Sequence, residues 1–148
     1  MGKQQIEELK KHGSYFSVPH GISMKPMIYD LKGVVEIHLL EGEAKRYDVV
    51  MYENQKGAGV IHRVLRVKDD HYVINGDNNW FLEYVPKSAV CGIAVRFYRK
   101  GKWYDCDCRG YRIYSRIWAN TYFIRMPVFW VRDKIKKLFR RVRNKLKS

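Results

Sequence analysis

The fold of this chain is indicated first by residues 60–67, which read VIHRVLRV. Valine and isoleucine make up half of the segment, and β-branched residues favour extended backbone. If Ile61 faces the core, the two-residue period of a strand places His62 and Val64 on the opposite face. The segment therefore predicts a strand that carries a histidine and two arginines among its apolar residues.

Further segments of similar composition lie on both sides of this one, and turn clusters rich in Gly, Asn, Asp and Glu separate them. Strands at this regular spacing, with no helix between them, predict a mainly β protein with an antiparallel folded sheet or partial barrel. A short helix over residues 4–12 is expected to precede them and to end at Gly13. Residues 100–102 predict a hairpin turn that returns through Trp103 and Tyr104. The predicted strands are 34–40, 48–52, 60–67, 72–74 and 89–98.

The positive charge of the chain is concentrated towards its C-terminal end. The net charge is +14, and residues 109–148 contain thirteen of the 29 lysine and arginine residues but a single acidic residue, Asp133. We therefore divide the chain into a β-rich domain with a short N-terminal helix over 1–108 and a basic amphipathic helical tail over 109–148. Such a tail favours an anionic partner, either a phospholipid surface or nucleic acid.

From Pro127 onwards the tail has the periodicity of an amphipathic helix, with Pro127 in its first turn. Aromatic residues that suit a headgroup region, among them Trp118 and Tyr122, precede the charged run. The tail is therefore expected to lie on an anionic membrane surface, although its apolar stripe can also pack on the β domain. The stripe consists of Val128, Val131, Ile135, Leu138, Val142 and Leu146. The basic residues expected to bind the membrane include Arg132, Lys136, Lys137, Arg140, Arg141 and Arg143.

A second informative segment is residues 20–27, HGISMKPM, which places one serine between a glycine and a proline. Gly21 tolerates backbone angles that other residues avoid, and Pro26 fixes its own φ and disfavours helical geometry at Lys25. A stiff turn of this kind can hold a hydroxyl in place, although serines near Gly and Pro are commonly turn formers. Ser23 is therefore a candidate nucleophile.

Along the chain, residues 20–27 come first, residues 60–67 second and the polar turn GDN at residues 76–78 third. In this order the three segments resemble the signal peptidase I family. More broadly they resemble the superfamily of serine peptidases that also includes LexA-type repressors. In that family the segment corresponding to residues 20–27 carries the nucleophilic serine, and the segment corresponding to residues 60–67 carries the base. In the archaeal and endoplasmic-reticulum type this base is a histidine, as at His62. Residues 47–50 also match the family's Gly-Asp-Val-Val segment, with Tyr47 in place of the glycine. The resemblance spans residues 15–98 and implies a signal-peptidase/LexA-like antiparallel β domain.

The resemblance implies a serine endopeptidase that cleaves a leader or signal peptide through an acyl-enzyme. Ser23 would be the nucleophile and His62 the base, with His20 as the rival base. A carboxylate on the other ring nitrogen would orient the imidazole. Both Asp77 in the GDN turn and Glu83 six residues later are candidates for this third member.

The sequence departs from the family pattern close to the serine. Some bacterial members place a serine oxyanion donor two residues before the nucleophile, where this chain has Gly21. Backbone N–H groups of the turn, with Gly21 and Met24 as its candidate residues, are therefore the expected oxyanion donors. Residues 27–28 are Met-Ile where the family has a small residue followed by Leu or Phe, and the family's N-terminal membrane anchor is not seen.

No cofactor or metal is expected, because the Cys106-Asp107-Cys108 segment lacks a second cysteine pair or a nearby histidine. A secretory signal and an apolar run of membrane-spanning length are also lacking. The sequence thus predicts a cytoplasmic enzyme, peripheral on the inner face of the cell membrane, that acts on a peptide or protein with a leader segment. An exporter is a further candidate partner. The alternative is a catalytically inactive peptidase-fold protein that binds peptide, or a membrane partner through its basic tail; a nucleic-acid-binding protein is less favoured.

Overall fold

The computed structural model describes residues 2–146 of the chain, with side chains for residues 4–145. Within these residues the chain forms one antiparallel sheet of eight strands, a short helix before it and two longer helices after it. A single 3₁₀ turn (Lys87–Ala89) joins the sixth and seventh strands. In chain order the elements are α1 (Gly2–His12), β1 (Ser14–Ser17), β2 (Val34–Leu39), β3 (Val49–Glu53), β4 (Gly59–Val67), β5 (His71–Asn75), β6 (Glu83–Pro86), β7 (Val90–Arg99), β8 (Lys102–Asp105), α2 (Arg109–Asn120) and α3 (Tyr122–Leu146).

The sheet has the strand order β1-β2-β7-β3-β4-β5-β6, and β8 pairs with the second half of β7. β7 is the longest strand, with β2 along one edge and β3 and β8 sharing the other. β1 and β6 form the two edges of the sheet, which is therefore open. The prediction of an antiparallel, mainly β protein is confirmed, and irregular pairing within β2, β3 and β4 bends the sheet locally.

β4 is covered on both faces. Ile61 belongs to a core cluster that includes residues of α1 and α2, whereas Val64 belongs to a second cluster on the other side. The predicted alternation is therefore seen, but His62 and Arg63 are buried as well, with 5% and 0% of their surface exposed. Because burying ionisable groups is costly unless they are paired, both side chains must have partners.

Predicted helix α1 is confirmed, and its end has a clear cause. Gly13 has a φ of +73°, and its N–H donates to the carbonyl of Leu9 at 2.9 Å. A left-handed glycine directly after the last helical residue is a common helix stop. Leu9 is fully buried, so the helix is held against the sheet by its apolar side.

The sequence places the stretch of α2 in the basic helical tail, but it does not predict a separate helix that packs on the β-rich part. Cys108 caps the helix, its Sγ accepting from the N–H of Tyr111 at 3.4 Å. Tyr111, Ser115 and Ala119 are buried, and Tyr111 belongs to the core cluster beneath β4. α2 therefore packs on the β-rich part of the chain and encloses one face of β4.

α3 begins at Tyr122, five residues before Pro127, so the expectation that Pro127 lies in the first turn is wrong. Thr121, directly before the first helical residue, accepts at its carbonyl the first hydrogen bonds of the helix, from the N–H groups of Ile124 and Arg125. With 25 residues, α3 is about 37 Å long. Across the described residues, no helix is both long and apolar enough to cross a membrane.

Candidate active site

His62 is held from one side by two residues on other strands. Its Nδ1 lies 2.7 Å from Glu83 Oε2 and 3.1 Å from the hydroxyl oxygen of Tyr52. The Tyr52 hydroxyl also donates to the same carboxylate oxygen. β3 and β6 thus bring a phenol and a carboxylate to one nitrogen of a histidine on β4, which fixes the orientation of the imidazole.

The ionisation of these neighbours determines where the proton of His62 lies. Burial by itself would raise the pKa of Glu83, but the hydrogen bond and charge of His62 and the hydrogen bond from Tyr52 lower it overall. Burial and the adjacent Glu83 raise the pKa of Tyr52. Glu83 is therefore an ionised acceptor and Tyr52 a protonated donor, so neutral His62 carries its proton on Nδ1 and leaves Nε2 as an acceptor.

The second nitrogen of His62 faces the loops that carry the serine and the GDN turn. A Cβ placed on Gly76 would lie 2.9 Å from His62 Nε2 and 2.9 Å from the carbonyl oxygen of Ser23. These two atoms are therefore within twice that distance of each other. Within the described part of the chain, the Ser23 hydroxyl makes no hydrogen bond to His62, and Nε2 has no hydrogen-bond partner.

Nε2 of His62 is nevertheless not completely enclosed, although the side chain as a whole is only 6% exposed. Among the described residues, no buried side-chain nitrogen or oxygen lacks a hydrogen-bond partner, so an unpartnered Nε2 has to be accessible. The imidazole therefore has one nitrogen held by a carboxylate and one unpartnered nitrogen that faces the loop of the half-buried Ser23. A histidine that takes the proton of a nucleophilic serine needs one nitrogen oriented by a carboxylate and the other nitrogen facing the serine.

The contact at Gly76 leads to a stability prediction. Gly76→Ala is expected to lower the free energy of unfolding by about 1–3 kcal/mol, because a Cβ within 3 Å of three neighbours forces them apart. Gly110→Ala is a matched control, since a Cβ there meets nothing within 4 Å and alanine favours a helix. Urea unfolding of both variants checks this, and equal stability of the two would contradict the close packing at Gly76.

The loop that carries Ser23 is fixed from two directions. The N–H of Asn78 donates to the carbonyl of Ser23 at 2.6 Å, and Asn78 Nδ2 donates to the carbonyl of Ile22 at 3.0 Å. From below, the side chains of Met24, Met27 and Ile28 are buried in the core. The residues that depart from the family pattern after Pro26 are therefore core residues that anchor the loop.

Gly21 and Met24, the two residues expected to supply oxyanion donors, differ in whether their backbone N–H groups have hydrogen-bond partners. Gly21 has a φ of +97°, and its N–H donates to Asp30 Oδ1 at 2.8 Å, which closes the loop. The N–H groups of Ser23 and Met24 have no partner among the residues that the structure describes. Ser23 and Met24 are therefore the better candidates for binding an oxyanion.

The two acidic candidates have different partners. Asp77 accepts from Arg63 through both oxygens, Nε to Oδ1 and Nη2 to Oδ2, each at 2.8 Å. Tyr114 donates its hydroxyl to Asp77 Oδ2 at 2.8 Å. Burial alone would lower the pKa of Arg63, but the Asp77 carboxylate raises it well above its usual value. Asp77 thus neutralises a buried arginine, and Glu83 is the acidic candidate that contacts His62.

The basic residues of the tail also separate into two groups. Arg132 is turned towards the GDN turn, where its Nη2 donates to the carbonyl of Asn78 at 3.0 Å. The apolar stripe on α3 is exposed rather than packed on the sheet, from 46% at Val131 to 61% at Val128 and Leu138; the side chain of Leu146 lies outside the described residues. The other basic residues named from the sequence are exposed, namely Lys136, Lys137, Arg140, Arg141 and Arg143.

Two of the aromatic residues expected to face a membrane have structural roles instead. Trp118 donates its Nε1–H to the carbonyl of Asp77 at 2.8 Å, and Tyr122 donates its hydroxyl to the carbonyl of Trp80 at 2.8 Å. Sequence reasoning also missed Tyr52 as a neighbour of His62. Its only local signal was a strand tyrosine, whereas the contact depends on the pairing of β3 with β4.

A cavity of about 1000 Å³ opens near His62 but is lined by neither His62 nor Ser23. Its wall includes Tyr52 and Glu83, the two groups bound to Nδ1, together with the edge strand β6. Since Nε2 faces the Ser23 loop, the cavity lies behind the histidine rather than in front of the hydroxyl. It is therefore not the place where a bond attacked by Ser23 would lie.

Comparison of the chain with protein-family models, curated proteins and solved structures finds no match. What the chain does must therefore be inferred from the chemistry of Ser23, His62 and Glu83.

Proposed function

We propose that the protein is a serine endopeptidase of the signal peptidase type, with Ser23, His62 and Glu83 as its triad. The observation that carries the proposal is the environment of His62, with Nδ1 on the Glu83 carboxylate at 2.7 Å and an unpartnered Nε2 that faces the Ser23 loop. This is the order of nucleophile, base and orienting acid that acyl transfer needs.

In the proposed reaction His62 Nε2 takes the proton of the Ser23 hydroxyl as the oxygen attacks the carbonyl carbon of a peptide bond. Glu83 stabilises the imidazolium that forms, and the free N–H groups of Ser23 and Met24 stabilise the oxyanion. His62 then returns the proton to the leaving amine, and water hydrolyses the acyl-enzyme. Hydrogen bonds at catalytic serines are often long or poorly aligned without substrate, and the proposed reaction requires the Ser23 hydroxyl to reach Nε2 when substrate binds.

The backbone at Tyr47 further supports the resemblance to this family. Tyr47 has a φ of +84°, a region that favours glycine, and it occupies the position where the family has glycine. Its N–H donates to the carbonyl of Val64 at 2.8 Å, and the N–H of Val64 donates to the carbonyl of Asp48 at 2.8 Å. The conformation that explains the family's glycine is thus present here with a tyrosine.

Covalent labelling with a fluorophosphonate probe tests the proposal. The probe reacts with an activated serine, so mass spectrometry of the wild-type protein is expected to place the label on Ser23. Labelling should disappear in Ser23→Ala and persist in Ser88→Ala, which changes an exposed serine. Absence of label from the wild-type protein would favour the inactive peptidase-fold alternative.

We also propose that the protein acts on peptides or proteins with a leader segment while attached to the surface of a membrane through α3. The exposed apolar stripe, flanked by Lys136, Lys137, Arg140, Arg141 and Arg143, has the composition of an in-plane membrane helix. Each basic residue near an anionic leaflet contributes about 1 kcal/mol. A cytoplasmic site on the inner face of the cell membrane, near an exporter, remains part of this proposal.

Vesicle flotation tests this attachment with the full-length protein. Binding to vesicles containing anionic lipid is expected to exceed binding to neutral vesicles and to weaken with salt. Reversing charge at Lys136, Lys137 and Arg140 together should reduce binding by about 100-fold or more, because each residue contributes about 1 kcal/mol. Equal binding of this variant and the wild-type protein would contradict attachment through α3, and salt-sensitive binding to nucleic acid instead would favour the third interpretation.

A further inference from the structure

Asn78 connects the serine loop to α3. On one side it donates its backbone N–H to the carbonyl of Ser23 at 2.6 Å and its side-chain amide to the carbonyl of Ile22 at 3.0 Å. On the other side it accepts from Arg132, Nη1 to Oδ1 at 2.5 Å and Nη2 to the backbone carbonyl at 3.0 Å. Every polar group of Asn78 is therefore used. Two of its hydrogen bonds go to the serine loop and the other two go to Arg132 on α3.

Asp77, the neighbouring residue of the GDN turn, is held by both α2 and α3. The carbonyl of Asp77 accepts from Trp118 Nε1 and from Arg125 Nη1, both at 2.8 Å. Arg125 also donates to the carbonyl of Trp118, and its guanidinium lies 4.2 Å from the centre of the Trp118 ring. The GDN turn is thus bound through its backbone by residues of α2 and α3.

Arg125 and Arg132 form one docked face of α3. They are seven residues apart, and Phe129 lies between them with the two guanidinium groups 5.6 Å and 4.5 Å from its ring centre. Residues at this spacing share one side of a helix. Asp133 accepts from Arg132 Nε at 2.9 Å, which fixes the plane of the guanidinium.

The docking is confined to the first half of α3. Arg132 and Asp133 are partly buried, whereas every described side chain from Lys134 to Lys145 is exposed. The helix therefore has a docked segment (residues 122–133) and a projecting segment (residues 134–145). Arg132 is the last residue of α3 that bonds to the body of the protein within the described chain.

We infer that α3 positions the nucleophile, with Arg132 acting on Ser23 through Asn78; this rests on the proposed function. Without the guanidinium, Asn78 loses two of its four hydrogen bonds, so the donor that holds the carbonyl of Ser23 beside His62 is less firmly fixed. A displacement of about 1 Å in a reacting group can cost about 100-fold in rate. Arg132 is thus a positioning residue, and the helix proposed to bind the membrane is linked through Asn78 to the loop that carries Ser23.

The test compares Arg132→Ala, Arg132→Lys and Arg116→Ala in the full-length protein. Arg116 is the matched control because it is exposed on α2, and its replacement removes the same charge. Two properties are measured: the rate of fluorophosphonate labelling at Ser23, and hydrogen–deuterium exchange of the Asn78 amide. Thermal unfolding of each variant shows whether the whole protein is affected.

Arg132→Ala is expected to slow labelling about tenfold or more and to speed exchange at Asn78, with the global unfolding transition retained. Arg132→Lys should recover part of both effects, since an ammonium can still donate to Asn78, and Arg116→Ala should match the wild-type protein. Unchanged labelling and exchange in Arg132→Ala would overturn the inference and leave the proposed function intact.

If the wild-type protein is not labelled at Ser23, the proposed function fails, and exchange alone decides the positioning role. Faster exchange at Asn78 in Arg132→Ala but not in Arg116→Ala would still support the link between α3 and the serine loop. Equal exchange in both variants would remove it. If Arg132→Ala does not fold, the comparison is made with Arg132→Lys. This variant should then exchange faster at Asn78 than the wild-type protein and, if Ser23 is labelled, be labelled more slowly.

Discussion

Ser23→Ala and His62→Ala are each expected to lower the turnover of a cleaved peptide by about 10⁴-fold or more. The hydroxyl supplies the electron pair that attacks the carbonyl, and Nε2 of His62 is the acceptor beside it. Because the two act as one unit, the double variant should be little worse than either single variant. Steady-state kinetics with a fluorogenic peptide that the wild-type protein cleaves would measure both losses.

His20→Ala is the control for the base, since His20 lies three residues from Ser23 and is exposed. It should retain activity, because the oriented imidazole is that of His62. Full activity in His62→Ala, or its loss in His20→Ala with His62 intact, would show that the base was wrongly assigned. Each variant should keep a cooperative unfolding transition above the assay temperature, which separates lost chemistry from lost structure.

The second large effect is a contrast between the two carboxylates. Glu83→Gln is expected to lower kcat by about 10³- to 10⁴-fold with the fold intact, because an amide cannot stabilise the imidazolium and favours the wrong tautomer. Asp77→Asn should instead lower the free energy of unfolding by about 3–5 kcal/mol, because it leaves Arg63 buried beside a neutral partner. Urea unfolding and kcat, measured on both variants, separate the two roles.

The reverse pattern would give the third position of the triad to Asp77. That is, Asp77→Asn would keep its stability and lose turnover, while Glu83→Gln would keep its turnover. The structure predicts against this outcome, because both Asp77 oxygens accept from Arg63. The single charged acceptor that reaches His62 Nδ1 in the described chain is Glu83.

Much of the sheet could be predicted because its strands have strong local signals. The predicted segments at residues 60–67 and 89–98 are rich in β-branched residues between turn clusters, and they correspond to β4 and β7. β1 and β6 were missed because four-residue edge strands contain too few residues to show an alternating pattern. The docking of α2 was missed because its arginines and aromatics suggested part of a membrane-facing helical tail, whereas Tyr111 and Trp118 contact the body of the protein.

The candidate site was only partly predictable. The order of the segments around Ser23 and His62 suggested a nucleophile and a base. It did not indicate Tyr52, and it left two carboxylates equally plausible. Their partners depend on which residue of β4 faces which side, since Arg63 and His62 are adjacent in sequence but lie on opposite faces of the strand.

The sequence by itself determined the strands of β4 and β7, the short α1 helix, the basic amphipathic character of α3, and the residues able to serve as nucleophile and base. The elements follow from local composition and periodicity, whereas the roles of Ser23 and His62 rest on an order of short segments that resembles a known peptidase family. Only the tertiary structure decided that Glu83 holds His62, that Asp77 neutralises Arg63, and that Arg132 reaches Asn78. Those contacts join residues 14 to 54 positions apart, so they depend on strand register and helix docking, which no local pattern encodes.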